Sequence, residues 1–348
     1  MFKVDLSKIK GQESAVRLLS RAVLSGSYAP LYLFYGPQGV GKATAALEFA
    51  KAANCRSETV RPCGKCSQCK KISRFVHPDI FILLPTKSDD YTTLERRDGE
   101  VRPYNIDMTK EISIKRVREL QYQLSRPPME AKRRFVIILN GENLSLEAQN
   151  SFLKTLEEPP SNTTFIMVSS NPELILPTIR SRARKIRFNP LPIELFRSFF
   201  DIEDRTINVL WHLSGGSVGM AREILSRNLL EMRAHIVELM ITKDINALLE
   251  LKDEFVRSRK TASDVALLYG MILRDIMLKK EGSDGLVVNI DLEEKLEQAA
   301  KELNWKNIED AFSALRRVQE GLARNVSLQN MFFVLFRPFY RNFEAVVV

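Results

Sequence analysis

The chain has 348 residues, 45% hydrophobic and 27% charged, which allows two or three domains with real apolar cores and excludes overall disorder. Its formal net charge of +9 and pI of about 9.3 suit an acidic partner such as nucleic acid, although basic soluble proteins without that role are common. No apolar run approaches the ~20 residues that span a bilayer, and Met1-Phe2-Lys3-Val4-Asp5 lacks the pattern of a signal peptide, so a cytoplasmic protein with no membrane partner is expected.

Leu31-Tyr32-Leu33-Phe34-Tyr35 is a short apolar run ending at a glycine, the pattern of a buried strand. Gly36-Pro37-Gln38-Gly39-Val40-Gly41-Lys42 follows, and Ala45, Leu47, Phe49 and Ala50 then mark a helix. This is the G-x-x-x-x-G-K spacing between a strand and a helix. Glycines let the backbone wrap closely around phosphate oxygens, the helix N-terminus adds favourable partial charge, and Lys42 can reach outer phosphates. Gly36, Gly39, Gly41, Lys42 and Thr44 are therefore the candidate nucleotide-binding residues. A glycine turn with a surface lysine is the plainer reading. Ala43 stands where a Ser or Thr normally binds Mg²⁺; Thr44 is one residue late, about 100° around the helix.

Four cysteines, the chain's full complement, lie at Cys55, Cys63, Cys66 and Cys69. A disulfide protein would scatter them; clustered, with Pro62 and Gly64 shaping a turn, they predict a closed, structural zinc site. An iron–sulfur cluster is the chemical rival, and reduced thiols the plain alternative. His77 is not needed as a ligand.

Residues 86–112 are polar and read as a long exposed loop. Phe135 to Leu139 is a second buried strand, Ser145 a helix N-cap, and Ala148, Phe152, Leu153 and Leu156 a helix face stopped by Pro159-Pro160. Thr164 to Val168 is a third strand. Strands alternating with helices imply a mostly parallel sheet covered on both faces. A hydrolysing phosphate-loop protein needs an acid at the end of a neighbouring strand. The second strand runs instead into Asn140-Gly141-Glu142-Asn143, and Glu142 lies beyond its end. With Ala43, the metal site is damaged on two sides, and vigorous hydrolysis is not expected.

Arg180-Ser181-Arg182-Ala183-Arg184-Lys185-Ile186-Arg187 is a basic run. It suits a solvated face, contacts with DNA phosphates, or an arginine reaching a nucleotide on a neighbouring subunit. Pro190 and Pro192 close the α/β part, and the remainder is helical in period. Val265, Leu268, Ile272 and Ile276 form one core stripe; Ile308, Phe312, Leu315, Val318 and Leu322 form another.

Together these motifs resemble the bacterial DNA polymerase III clamp-loader family of AAA+ proteins. The resemblance rests on Gly11-Gln12-Glu13, the phosphate loop, the four-cysteine insertion, Thr155-Leu156-Glu157-Glu158-Pro159-Pro160 and Ser181-Arg182-Ala183, where the family has Ser-Arg-Cys. It covers about the first 225 residues; beyond them it rests on helical character and Asn325-Val326 before an apolar helix. It implies an α/β P-loop core with a parallel sheet at 1–190, carrying the zinc insertion at 55–69. An all-α lid at 191–227 and an all-α collar at 228–348 follow.

Within the family the sequence is more similar to the delta-prime type than to the ATP-driven gamma/tau motor. Ala43 replaces the metal-binding hydroxyl. Leu139 and Asn140 stand where the motor has Asp and Glu, and Gly219 where its lid has an arginine. The resemblance implies a stator that supplies Arg182 in trans to a neighbouring motor's ATP. Its partners would be gamma/tau and delta and, through the complex, the sliding clamp and primed DNA of the polymerase III holoenzyme. The retained lysine and glycines are those of an ATP or ADP binder. The alternatives are an active gamma-like ATPase and a zinc-containing DNA-binding module on a P-loop fold.

Overall fold

The computed structural model describes residues 2–85, 94–97, 100–103, 110–324 and 326–340. They group into two compact units, Met1–Leu195 with Ser217–Gly219, and Phe196–Gly216 with Met220–Val348.

Nine strands are described: β1 (Lys3–Val4), β2 (Leu31–Tyr35), β3 (Val60–Arg61), β4 (Ile80–Leu83), β5 (Leu94–Arg97), β6 (Glu100–Pro103), β7 (Arg134–Ile138), β8 (Thr163–Ser169) and β9 (Arg184–Arg187). Five form one parallel sheet in the order β4-β7-β8-β2-β9. The helices of this half are α1 (Glu13–Ser25), α2 (Lys42–Asn54), α3 (Ser67–Ser73), α4 (Ile114–Leu124), α5 (Leu146–Glu157) and α6 (Pro177–Arg182).

The period-two alternation of each strand sorts its side chains between two cores. Tyr32, Phe34, Phe135, Ile137, Ile166 and Val168 pack with α1 and α2; Leu31, Leu33, Val136, Ile138, Phe165 and Met167 pack with α4 and α5. Both faces are covered, which is why the strands read as continuous apolar runs. On α2, Ala45, Ala46 and Ala50 allow close approach to the sheet, and Phe49 sits edge-on against Tyr32 and Phe135. The expected N-cap is present: the Ser145 hydroxyl accepts from the Ala148 amide at 3.2 Å, and α5 ends at Glu157, before the two prolines.

Gly11-Gln12 also has a structural use. Gln12 is buried, donates to the Asn189 carbonyl at 2.7 Å and accepts from the Asn189 amide at 2.9 Å, tying the segment before α1 to the one after β9.

Part of the segment read as a loop is regular: β5 and β6 pair antiparallel, Arg97 opposite Glu100. The low apolar content of the segment hides this pairing from the sequence. Ile112 is fully buried and bridges to Leu144. The rest of 86–109 lies outside the described residues, as does Asn325.

The second unit is helical: α7 (Ile193–Arg197) leads to it, and α8 (Asp204–Leu213), α9 (Val218–Ser226), α10 (Leu229–Thr242), α11 (Ile245–Val256), α12 (Arg259–Lys280), α13 (Glu293–Glu302), α14 (Trp305–Ala323) and α15 (Leu328–Phe336) follow. The first stripe, on α12, is buried throughout. In the second, on α14, Ile308, Leu315 and Val318 are buried and Phe312 and Leu322 half-buried. Buried Arg233 is paired with Asp291 and donates to Asn289 at 2.6 Å, so its charge is compensated. Among the described residues no helix is long and apolar enough to cross a membrane.

Candidate functional site

The sheet order puts β2 between β8 and β9, with Tyr35 opposite Ser169 and Arg187. The loops leaving β2 and β8 therefore emerge side by side at the carboxyl end of the sheet, where open α/β folds bind ligands. Gly36, Gly39 and Gly41 have φ of 140°, 76° and 98°, a region costly for any residue with a Cβ. Gly36 is the most constrained: a Cβ there would lie 2.1 Å from the Phe188 carbonyl oxygen. Gly36→Ala is expected to lower unfolding free energy by about 2–4 kcal/mol in urea titrations. Gly26→Ala, at φ +68° with open space around it, should cost only about 1 kcal/mol.

Lys42 opens α2 and is 5% exposed. Its ammonium donates to the carbonyls of Gly36 at 2.6 Å and Pro37 at 2.5 Å and to the Ser170 hydroxyl at 3.2 Å. Burial holds its pKa down to about 8, against the opposing pull of the Glu142 carboxylate. Below pH 8 the folded and unfolded states are both charged, and the folded state bears the desolvation cost. Between about pH 8 and 10.5 the unfolded chain holds more protons, so this group makes stability rise with pH through that window. Wild-type protein should therefore gain stability relative to Lys42→Met between pH 7.5 and 9.5, measured by urea titration; an equal change in both would contradict the assignment.

The metal side of the site lacks its usual groups. Ala43 has no hydroxyl, and Thr44 is exposed on α2. Beyond β7, Leu139 and Asn140 are half-buried, and Asn140 takes a left-handed φ of 54°. Glu142 turns toward the neighbouring strand end: its Oε1 accepts from the amides of Ser170 at 2.9 Å and Asn171 at 3.3 Å. Its buried Oε2 has no hydrogen-bond partner. Glu142 thus fastens the turn after β7 to the turn after β8. Ser170 was not legible as a site residue: it reaches Lys42 only because β8 lies beside β2. Gly219 donates its amide to the Gly39 carbonyl at 3.0 Å.

The four cysteines do converge. Their sulfurs all lie within 4.8 Å of one another, Cys55 and Cys69 buried, Cys63 and Cys66 half-buried. Cys55 and Cys66 sulfurs are 3.9 Å apart, against the ~3.8 Å that a tetrahedron of ~2.3 Å zinc–sulfur bonds requires. Backbone amides point at the sulfurs, Cys63 to Cys55 at 3.3 Å and Cys66 to Cys63 at 3.4 Å, as suits thiolates. For the Cys66 thiol, burial pushes up but amides of Arg56 and Cys69 outweigh it, bringing the pKa to about 6. This donor set fits zinc. His77 stands apart: its Nδ1 accepts from the Asp79 amide at 3.0 Å and its Nε2 faces the Gln68 amide group.

The basic run is divided by the fold. Arg180 and Arg182 end α6, and Arg180 pairs with Glu173. Arg184, Lys185 and Arg187 stand exposed around buried Ile186 on β9, which ends the sheet on one side among the described residues. Charges there guard the unpaired edge against strand addition. Arg182 is 44% exposed; it donates to the Thr178 carbonyl at 3.2 Å and to Glu157, at the end of α5, at 3.3 Å.

The family model described as DNA polymerase III, delta subunit matches residues 11–192. DNA polymerase III subunit delta' of Bacillus subtilis is 27% identical over 337 residues, covering 92% of this chain and 93% of its own length. The subunit of the same name from Pseudomonas aeruginosa is 31% identical over 218 residues, covering 61% of this chain and 60% of its own. A crystal structure of a gamma subunit-related protein from Thermotoga maritima aligns over 94% of this chain and 98% of that one, with 16% identity and a TM-score of 0.43. The chain belongs to the DNA polymerase III delta subunit family, and within it is a delta-prime-like clamp-loader subunit.

Proposed function

We propose that this chain is a stator of the polymerase III clamp loader, an interaction subunit rather than an ATPase in its own right. It assembles with gamma/tau and delta subunits in the cytoplasm, helps the complex place the sliding clamp on primed DNA, and supplies Arg182 to the nucleotide of an adjacent motor. Residues 1–190 act as the P-loop core, 191–227 as a lid and 228–348 as an oligomerisation collar.

The observation that carries this reading is a phosphate loop intact in backbone but stripped of metal-holding groups. Ala43 and Leu139 offer no ligand for Mg²⁺, Asn140 has no charge to neutralise it, and Glu142 is tied to the amides after β8. Gly36, Gly39, Gly41 and Lys42 would hold the phosphates of ATP or ADP, which supply only negative charge there. Zinc held by Cys55, Cys63, Cys66 and Cys69 would be structural, since four thiolates leave no open coordination position.

The isolated chain is expected to show no Mg²⁺-dependent ATP turnover above buffer while forming a stable complex with gamma/tau and delta on a sizing column. Clear turnover lost on Lys42→Ala would establish the gamma-like reading instead.

A further inference from the structure

The phosphate loop is tied down by more than a phosphate site requires. Lys42 occupies the carbonyls of Gly36 and Pro37. The next carbonyl, of Gln38, accepts from the hydroxyl of Ser217 at 2.7 Å, and the one after, of Gly39, accepts from the amide of Gly219 at 3.0 Å. Four consecutive loop carbonyls are thus engaged by the rest of the protein, two of them by a segment about 180 residues away in sequence. Ser217 is 1% exposed.

Position 219 explains how the segment comes so close. A Cβ there would lie 2.7 Å from the Gly39 Cα and 2.9 Å from its oxygen, so two glycine backbones are in direct contact. Gly219 is in helix α9, where glycine is unfavourable by about 1 kcal/mol relative to alanine, and its φ is not positive. Its local conformation therefore does not call for glycine; the approach to Gly39 does. Ser217–Gly219 is part of the same compact unit as the loop.

We propose that Ser217–Gly219 is a permanent strap on the phosphate loop that holds residues 36–42 in one conformation with or without nucleotide, and that Gly219 is the residue that permits it. A side chain at 219 would force strap and loop apart, leaving the Gln38 and Gly39 carbonyls to water. The loop then becomes a fixed part of the subunit's framework and ceases to report nucleotide occupancy. From the proposed function this takes only that the loop is a phosphate cradle; whether it hydrolyses is a separate matter.

Amide hydrogen exchange on the full-length chain tests it. Without nucleotide, the wild-type amide of Gly219, the one N–H in the strap contact, should be protected and should change less than about twofold on adding ATP and Mg²⁺. Gly219→Ala should speed exchange there by about tenfold or more, and Ser217→Ala by a smaller factor, with the helical second unit unchanged. If Gly219→Ala fails to fold, Ser217→Ala decides. An unprotected amide at 219 in the nucleotide-free wild type, strong protection gained there only with ATP, or no change in the variants would overturn the strap. ATP turnover by the same wild-type preparation, with the amide at 219 slow and unchanged, would instead defeat the non-hydrolysing reading and leave the strap standing.

Discussion

In a reconstituted clamp loader, Arg182→Ala is expected to reduce ATP turnover at the neighbouring motor site by about 10³-fold and to slow clamp loading with it, while the complex stays assembled. An arginine inserted from outside stabilises charge on a transferring phosphoryl group, and its removal leaves binding and folding in place. The surroundings of Arg182 suit such a role. It ends α6 at the surface, nearly half exposed, and among the described residues is held by Glu157 and the Thr178 carbonyl. An exposed ion pair of this kind is worth roughly 0–1 kcal/mol, so the guanidinium can exchange Glu157 for a phosphate at little cost. For the same reason, Arg182→Ala should alter the subunit's own stability by no more than about 0.5 kcal/mol. Arg182→Lys should restore only part of the rate, because a lysine cannot present two parallel donors. Unchanged rates in Arg182→Ala would remove the trans-acting role.

The second large effect concerns the metal. Protein purified without chelators is expected to hold about one zinc per chain, and stripping it, or changing Cys66 to Ser, should lower the melting temperature by about 10 °C or more. The cost is high because the insertion is short and has little apolar core of its own. It consists of α3 and the turn from Cys55 to Cys66, and on α3 Cys69 and Ile72 are its buried apolar side chains. Without the metal, thiols remain close together, Cys55 and Cys69 pushed toward the protonated form by burial. Metal analysis finding none would sink the zinc assignment, and a visible absorption band with stoichiometric iron would replace it with an iron–sulfur cluster.

Several parts of the molecule were legible because local chemistry decides them. The glycine spacing from Gly36 to Lys42 between an apolar run and a helical pattern specifies a strand, a tight loop and a helix N-terminus. The cysteine spacing is short enough that the chain can hardly avoid bringing the sulfurs together. Ser145 caps α5 and Pro159-Pro160 stops it, as their side chains dictate. The stripes on α12 and α14 follow from a period of 3.6 residues.

Other parts needed the tertiary structure, because they depend on which strands become neighbours. Placing β8 beside β2 brings Ser170 to Lys42, and the turn after β7 then offers Glu142 to the amides after β8. A single basic run is split between a helix end and a sheet edge, which separates exposed Arg182 from the edge-guarding Arg184, Lys185 and Arg187. Gly219 read in sequence only as a missing arginine; in space it is the contact that seats one backbone on another. Spacing and periodicity belong to the chain itself and can be read along it. Strand order and the close approach of distant backbones arise only when the core packs, and they decide how the phosphate loop is held.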